Sequence, residues 1–173
     1  MKQTILIILV CSLILGLCAC SNENTKIEEP VKFYYCTVKD AENQEQKQEA
    51  ILAEVRETNH YKREDLEGIL NLYFKGPLSD NLQSLFPANT RIVNIIHNEN
   101  AVFITLNEDF ANLTGIDLSL ACACIGLTVF DYTNVQILSI EAENNLLDNK
   151  SSITLLRENL LLNDNTDIPT DIG

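Results

Sequence analysis

The residues best suited to chemistry are the six cysteines, because a thiol can bind a metal, form a disulfide or act as a nucleophile. Three lie in or beside an N-terminal apolar segment and three in the body of the chain: Cys11, Cys18 and Cys20, then Cys36, Cys122 and Cys124. Residues two apart on a helix project about 200° from each other, so Cys122 and Cys124 cannot share a metal or a disulfide there. Paired zinc-binding cysteines prefer two to four intervening residues. We therefore predict small buried thiols, with a disulfide from Cys36 to one of the pair as the alternative.

The remaining chemical side chains show no catalytic pattern. His60 and His97 each lie in polar sequence without a readable partner for a metal or proton role. The 25 acidic residues are scattered, so a glycosidase-like carboxylate pair would arise easily by chance. The sequence contains no G-x-S-x-G, no glycine-rich phosphate loop and no H-E-x-x-H. We predict no catalytic residue, no metal, no cofactor and no enzymatic activity.

Cys20 differs from the other cysteines because of what precedes it. One cation, Lys2, is followed by the uncharged apolar run Thr4–Leu17 and then by Cys18-Ala19-Cys20. This order is typical of a secretory signal peptide, and its end resembles a bacterial lipobox, although Cys18 stands where Ser, Thr or Ala is more usual. The resemblance implies a lipid on the Cys20 thiol at the extracytoplasmic face of the cell membrane. The alternative is an uncleaved anchor, but the run is short for a span of about 20 residues.

Composition divides the rest of the chain. Residues 1–19 are the predicted signal peptide, 20–30 the lipidated cysteine and a polar tether, 31–163 one domain, and 164–173 an acidic tail. The formal net charge is −13, and loss of Lys2 with the signal leaves 11 basic against 25 acidic residues, or −14. Nucleic acid and anionic headgroups both require basic patches, so we expect neither as a partner of the protein body. The lipid on Cys20 would then be the membrane contact.

An amphipathic helix at Glu64–Pro77 organises the domain. Its apolar residues recur at i, i+3, i+4, i+7 and i+8: Leu66, Ile69, Leu70, Tyr73 and Phe74. Gly76 stands where a left-handed C-cap is needed, and a proline follows it. A second helix is predicted at Leu118–Phe130, capped by Thr114 or Asp117, and its nearly all-apolar sequence indicates burial.

Strand patterns surround these helices. They are predicted at Val31–Val38, Glu49–Thr58, Thr90–His97, Ala101–Leu106 and Val135–Glu141. Lys39–Gln48 reads as a long turn, and Leu82, Leu85 and Phe86 are spaced for a short helical turn. Asn144–Asn163 is predicted only as a short extended or mixed segment. The element order predicts an α+β fold, a mixed β-sheet with two helices packed on one face.

Several of these segments together resemble the GerM-type (GerMN) domain of sporulation and germination lipoproteins. The matching pieces are Leu66–Pro77, Leu85-Phe86-Pro87, Thr90-Arg91-Ile92, Ala101–Leu106, Asn107–Phe110 and Thr128–Ile137. The likeness covers roughly Phe33 to Glu143. It implies a fold related to ring-building-motif domains. Ala121–Cys124 departs from the family, whose members more often place a polar residue such as Gln there, and this puts partner contact through that helix in doubt.

The resemblance also implies a non-enzymatic domain that binds other envelope or sporulation-complex proteins, with self-association possible through sheet edges. The alternative is a small-solute-binding lipoprotein, which would need a formed pocket with convergent polar groups. An extracellular hydrolase is the weakest hypothesis, because no nucleophile–base pair is readable.

The lipid site gives the first testable expectation. Cys20→Ala removes the only sulfur at the lipobox position, so the protein should leave the membrane fraction or persist as unprocessed precursor. Fractionation and immunoblotting of wild type, Cys20→Ala and the control Cys11→Ala measure this. A Cys20→Ala protein that is processed and membrane-bound like wild type contradicts the lipobox.

Overall fold

The computed structural model describes residues 30–38, 50–58, 61 and 64–160. The predicted signal peptide, Cys20, the tether up to residue 29 and His60 lie outside the described residues. So do the predicted turn Lys39–Gln48 and residues 161–173.

The first sheet is built around β1 (Val31–Thr37), as its β-branched and aromatic content predicts. β2 (Ile51–Arg56) pairs antiparallel with β1, with Tyr35 opposite Leu52. Val31, Phe33 and Tyr35 alternate into the core while Lys32 is exposed. Both predicted strands and their pairing are confirmed.

The third strand of this sheet corrects the predicted helical turn. β3 (Leu82–Gln83) pairs antiparallel with Cys36 and Thr37, so the order is β2-β1-β3. Leu82 is buried as the spacing suggested, but in extended backbone. Leu82 and Gln83 form a strand because the backbone at the end of β1 needs hydrogen-bond partners. The local spacing of apolar residues does not show this requirement of the tertiary structure.

The second sheet has four strands in the order β4-β5-β6-β7. They are β4 (Ile92–His97), β5 (Ala101–Leu106), β6 (Ile137–Ala142) and β7 (Ile153–Leu156). The predicted hairpin β4–β5 is confirmed, with a bulge between Ile92 and Asn94. β5 and β6 are parallel, which requires a crossover connection, and β6–β7 is antiparallel. The α+β class is thus confirmed, with the strands divided between two sheets that share one core.

The organising helix α1 spans Leu66–Tyr73 and buries the predicted apolar face. The Asp65 side chain caps its N-terminus by accepting a 2.8 Å hydrogen bond from the Gly68 amide. Gly76 has φ +89°, the left-handed conformation that its position after the helix predicts.

The crossover between β5 and β6 is made by a 3-10 helix (Glu108–Asn112) and then α2 (Gly115–Tyr132). α2 packs against β1 and also against β6 and β7, so it lies between the two sheets. By length and composition it could cross a membrane, with a mean hydropathy of 1.4. Its contacts instead make it the core helix of the domain, as its all-round apolar sequence predicts.

The segment after β6, predicted as extended or mixed, contains β7 and the short helix α3 (Arg157–Leu160). Arg157 holds the end of α2: its guanidinium donates to the carbonyls of Phe130 (2.6 Å), Thr133 and Val135 (2.8 Å). It also lies 5.2 Å from the centre of the Phe130 ring. The guanidinium gives hydrogen bonds to carbonyls that lack partners within the helix. Its positive charge is also attracted to the negative end of the helix dipole.

Truncation of either main helix tests this core. Leu70 and Ile125 are fully buried, so Leu70→Ala and Ile125→Ala should each lower the free energy of unfolding by about 2–5 kcal/mol. The exposed Asn71→Ala on the same helix as Leu70 is the control and should cost little. Urea unfolding measures all three, and unchanged midpoints for both core variants would contradict the packing.

Candidate interaction surface

The three cysteines in the body of the chain pack in the core as small side chains. Cys36, Cys122 and Cys124 are free thiols and buried, and burial raises the pKa of Cys122 to about 12. Burial also raises the pKa of Cys36 and Cys124, so none is a reactive thiolate at neutral pH. The prediction of buried thiols is confirmed, and within the family departure Ala121–Cys124 the Cys124 sulfur lies 3.8 Å from Cys36 Sγ on the first sheet.

His97 is the one histidine that the described residues include. His97 is exposed at the end of β4. Among the described residues, no group of three His, Cys, Asp or Glu side chains lies close enough to hold a metal ion.

A largely buried ion pair forms hydrogen bonds to the backbone of the loop after α1. Arg56 pairs with Glu54, donates to the Gly76 carbonyl at 2.7 Å, and lies 4.8 Å from the centre of the Phe33 ring. Glu54 accepts from the amides of Leu78 (2.8 Å) and Ser79 (2.9 Å). Both charges are thus satisfied within the protein, as buried charges must be.

An open cleft of about 480 Å³ lies beside this pair, with Val55, Lys75 and Leu78 in its lining. Its buried cation, Arg56, is already engaged by Glu54 and the backbone. A ligand would therefore meet exposed side chains instead of a converging set of polar groups, and the cleft gives small-solute binding little support.

β3 pairs only with Cys36 and Thr37, and before them side chains from both helices cover the edge of β1 that faces away from β2. The Tyr34 amide donates to Thr128 Oγ1 on α2 at 3.1 Å, and the Tyr73 hydroxyl on α1 donates to the Tyr34 carbonyl at 2.8 Å. Burial raises the pKa of Tyr73 well above its ordinary value, so this phenol remains protonated. The edge of the first sheet is therefore closed to further pairing along this stretch.

The second sheet leaves an apolar pair in solvent. Phe103 on β5 and Ile96 on β4 are direct cross-strand partners, with 42% and 54% of their surface exposed. Val102 and Ile104 on either side of Phe103 point into the core, so Phe103 projects from the opposite face. Val93, at the bulge of β4, is also exposed, at 43%. We call Val93, Ile96 and Phe103 the outer patch.

The outer patch borders a strand edge. β4 is the terminal strand of the second sheet, and among the described residues no further strand pairs with it. Sequence reasoning did not single this patch out. In the apolar strand β5 only the polar Thr105, two residues after Phe103, marks that face as outward, and the local sequence cannot show that Phe103 stays exposed among the described residues.

Comparison with known proteins identifies the family. The architecture is a small α+β domain with two sheets around one buried helix. Residues 32–148, more than half of the chain, match the family model Germane, described as sporulation and spore germination, so the chain belongs to that family. No curated protein matches the chain closely enough to count as a relative.

Solved structures agree with this fold. The tandem GerMN domains of the sporulation protein GerM from Bacillus subtilis superpose with a TM-score of 0.50 at 16% identity. The match covers 74% of this chain and 43% of that one, so this chain spans less than half of the GerM structure. A candidate lipoprotein from Clostridium perfringens gives a TM-score of 0.47 at 15% identity, covering 78% of this chain and 93% of that one. The family match and the likeness to the GerM domains confirm the resemblance to a GerMN domain.

The contact between Thr128 and Tyr34 can be tested directly. Thr128→Val keeps the shape but removes the acceptor of the Tyr34 amide, and should cost about 1–3 kcal/mol of unfolding free energy. Thr128→Ser should restore most of it. The exposed Ser119→Ala is the matched control, because its hydroxyl also donates to the carbonyl four residues back on α2. Equal losses for Thr128→Val and Ser119→Ala in urea unfolding would show that the edge contact contributes nothing.

Proposed function

We propose that this protein is a membrane-anchored extracytoplasmic lipoprotein whose domain binds another envelope protein during sporulation or spore germination, without turning over a substrate. The observation that carries the proposal is the outer patch, which lies beside the unpaired edge of β4. Membership of the Germane family supports the biological setting. The lipobox sequence before Cys20 supports the anchor.

The chemistry of the outer patch suits protein contact. Phe103 and Ile96 are adjacent on one face, so a partner can cover both at once. Covering the exposed part of both side chains stabilises a complex by roughly 25 cal/mol for each Å² of apolar surface removed from water. Aromatic side chains are enriched at interface centres, and an open strand edge adds backbone hydrogen bonds if the partner supplies a strand.

Charge favours a different protein over a second copy. The chain has a formal net charge of −13, so two copies repel each other at low salt. A partner with a basic surface would instead be attracted and oriented. We therefore assign the outer patch to a basic envelope protein, and self-association becomes an outcome that the experiment distinguishes.

Two other functions receive less support. Small-solute binding would use the cleft beside Arg56, whose guanidinium is already engaged. A hydrolase would need a nucleophile with a base, and the buried, protonated thiols of the described domain do not provide one.

Replacing the outer patch tests the function. Ile96→Thr/Phe103→Thr places threonine, a β-branched residue that favours strands, at both positions, so the hairpin should persist while the apolar contact is lost. We expect the envelope protein retained by the wild-type lipoprotein in pull-downs from sporulating cells to fall at least tenfold. Ile116→Gln is the control, because Ile116 is 77% exposed on α2, outside the outer patch.

Two results would contradict this proposal. Equal retention by the double variant and wild type would exclude the outer patch as the contact. The second contradicting result would come from sedimentation of residues 21–173 at low and high salt. Self-association that increases with salt and disappears in the double variant would show that the outer patch binds a second copy of this chain.

A further inference from the structure

We propose that Cys36 and Cys124 are a disulfide-forming pair that covalently joins the first sheet to the core helix, while Cys122 remains a free thiol. The extracytoplasmic setting in which this bond would form rests on the proposed function, but the pairing itself rests on geometry alone. The sequence left open a disulfide from Cys36 to Cys122 or Cys124, and the proposal selects Cys124.

The two sulfurs already face each other. Cys36 Sγ lies 3.8 Å from Cys124 Sγ, and both side chains are buried. A disulfide holds its sulfurs about 2 Å apart, so the pair must approach by about 1.8 Å, which side-chain rotation can supply when the backbones are already close.

Backbone register fixes this proximity. The neighbouring contact joins the Tyr34 amide to Thr128, two residues before Cys36 on the strand and four residues after Cys124 on the helix. Two strand residues advance about 6.6 Å and four helical residues about 6 Å. Strand and helix therefore run in opposite directions with matched spacing, and the contact at Tyr34 brings Cys36 opposite Cys124.

The same geometry excludes the other thiol. Cys122 lies two residues from Cys124 on α2 and so projects about 200° away around the helix. Among the described residues, Cys36 and Cys124 are thus the matched pair, and the odd thiol has no partner to oxidise with.

The reaction is a two-electron oxidation by a disulfide. A small-molecule or protein disulfide accepts both electrons: Cys36–SH and Cys124–SH each lose a proton, one S–S bond forms between them, and the oxidant leaves as two thiols. Such oxidants act outside the cytoplasm. Because both thiols are buried and protonated after folding, the exchange occurs while the chain folds, before α2 covers β1.

Peptide mapping of the mature protein tests the pairing. Wild type is refolded in a mixture of oxidised and reduced glutathione, free thiols are alkylated, and trypsin is applied without reduction. The predicted product joins peptide 33–39, which contains Cys36, to peptide 92–150, which contains both Cys122 and Cys124. It should persist in Cys122→Ala and disappear in Cys124→Ala and Cys36→Ala.

The effect of a reductant on the urea midpoint tests the same pairing if one variant folds poorly. Adding a reductant should lower the urea midpoint of wild type and Cys122→Ala, but not that of Cys124→Ala, because the bond closes a chain segment between residues 88 apart. No cross-linked peptide in wild type, or one that survives in Cys124→Ala, overturns the pairing. An oxidised wild type whose midpoint does not respond to reductant overturns the stabilising role. These readouts need no partner and no anchor, so they fail independently of the proposed function.

Discussion

The covered edge of β1 is the constraint on which the domain depends. A strand whose backbone groups face a helix must find side-chain partners for them, since buried amides and carbonyls without partners are costly. Tyr34 finds both, in Thr128 and Tyr73. These two contacts fix the position of α2 and α1 against the first sheet. Because α2 also connects β5 to β6, the same contacts align the first sheet with the second.

Much of this architecture could be predicted from periodicity. The alternation in β1, the hairpin β4–β5, the apolar stripe of α1 and the all-round apolar α2 each show their burial in the sequence. What could not be predicted depends on distant partners. β3 is a strand only because Cys36 and Thr37 need ladder partners, and the segment leading to β7 acquires its form from β6 and from the carbonyls that Arg157 satisfies.

Only part of the candidate surface could be predicted from the sequence. The sequence favoured a contact function over catalysis, but it did not single out Phe103 or its neighbours. It could not show that Ile96 would stand directly opposite, because pairing register is a tertiary property. Similarly, the sequence allowed two disulfides for Cys36, one to Cys122 and one to Cys124. Only the strand–helix alignment separates Cys124, which meets Cys36, from Cys122, which does not.

The contact between Tyr34 and Thr128 also has a kinetic consequence, since it joins residues 94 positions apart. Closing so long a segment costs chain entropy before any packing is gained, and folds rich in such distant contacts form slowly. The N-terminal strands cannot complete their packing until the chain has been made at least through α2. Late completion of the fold would suit the membrane-anchored lipoprotein that we propose, because such a chain crosses a membrane before it folds.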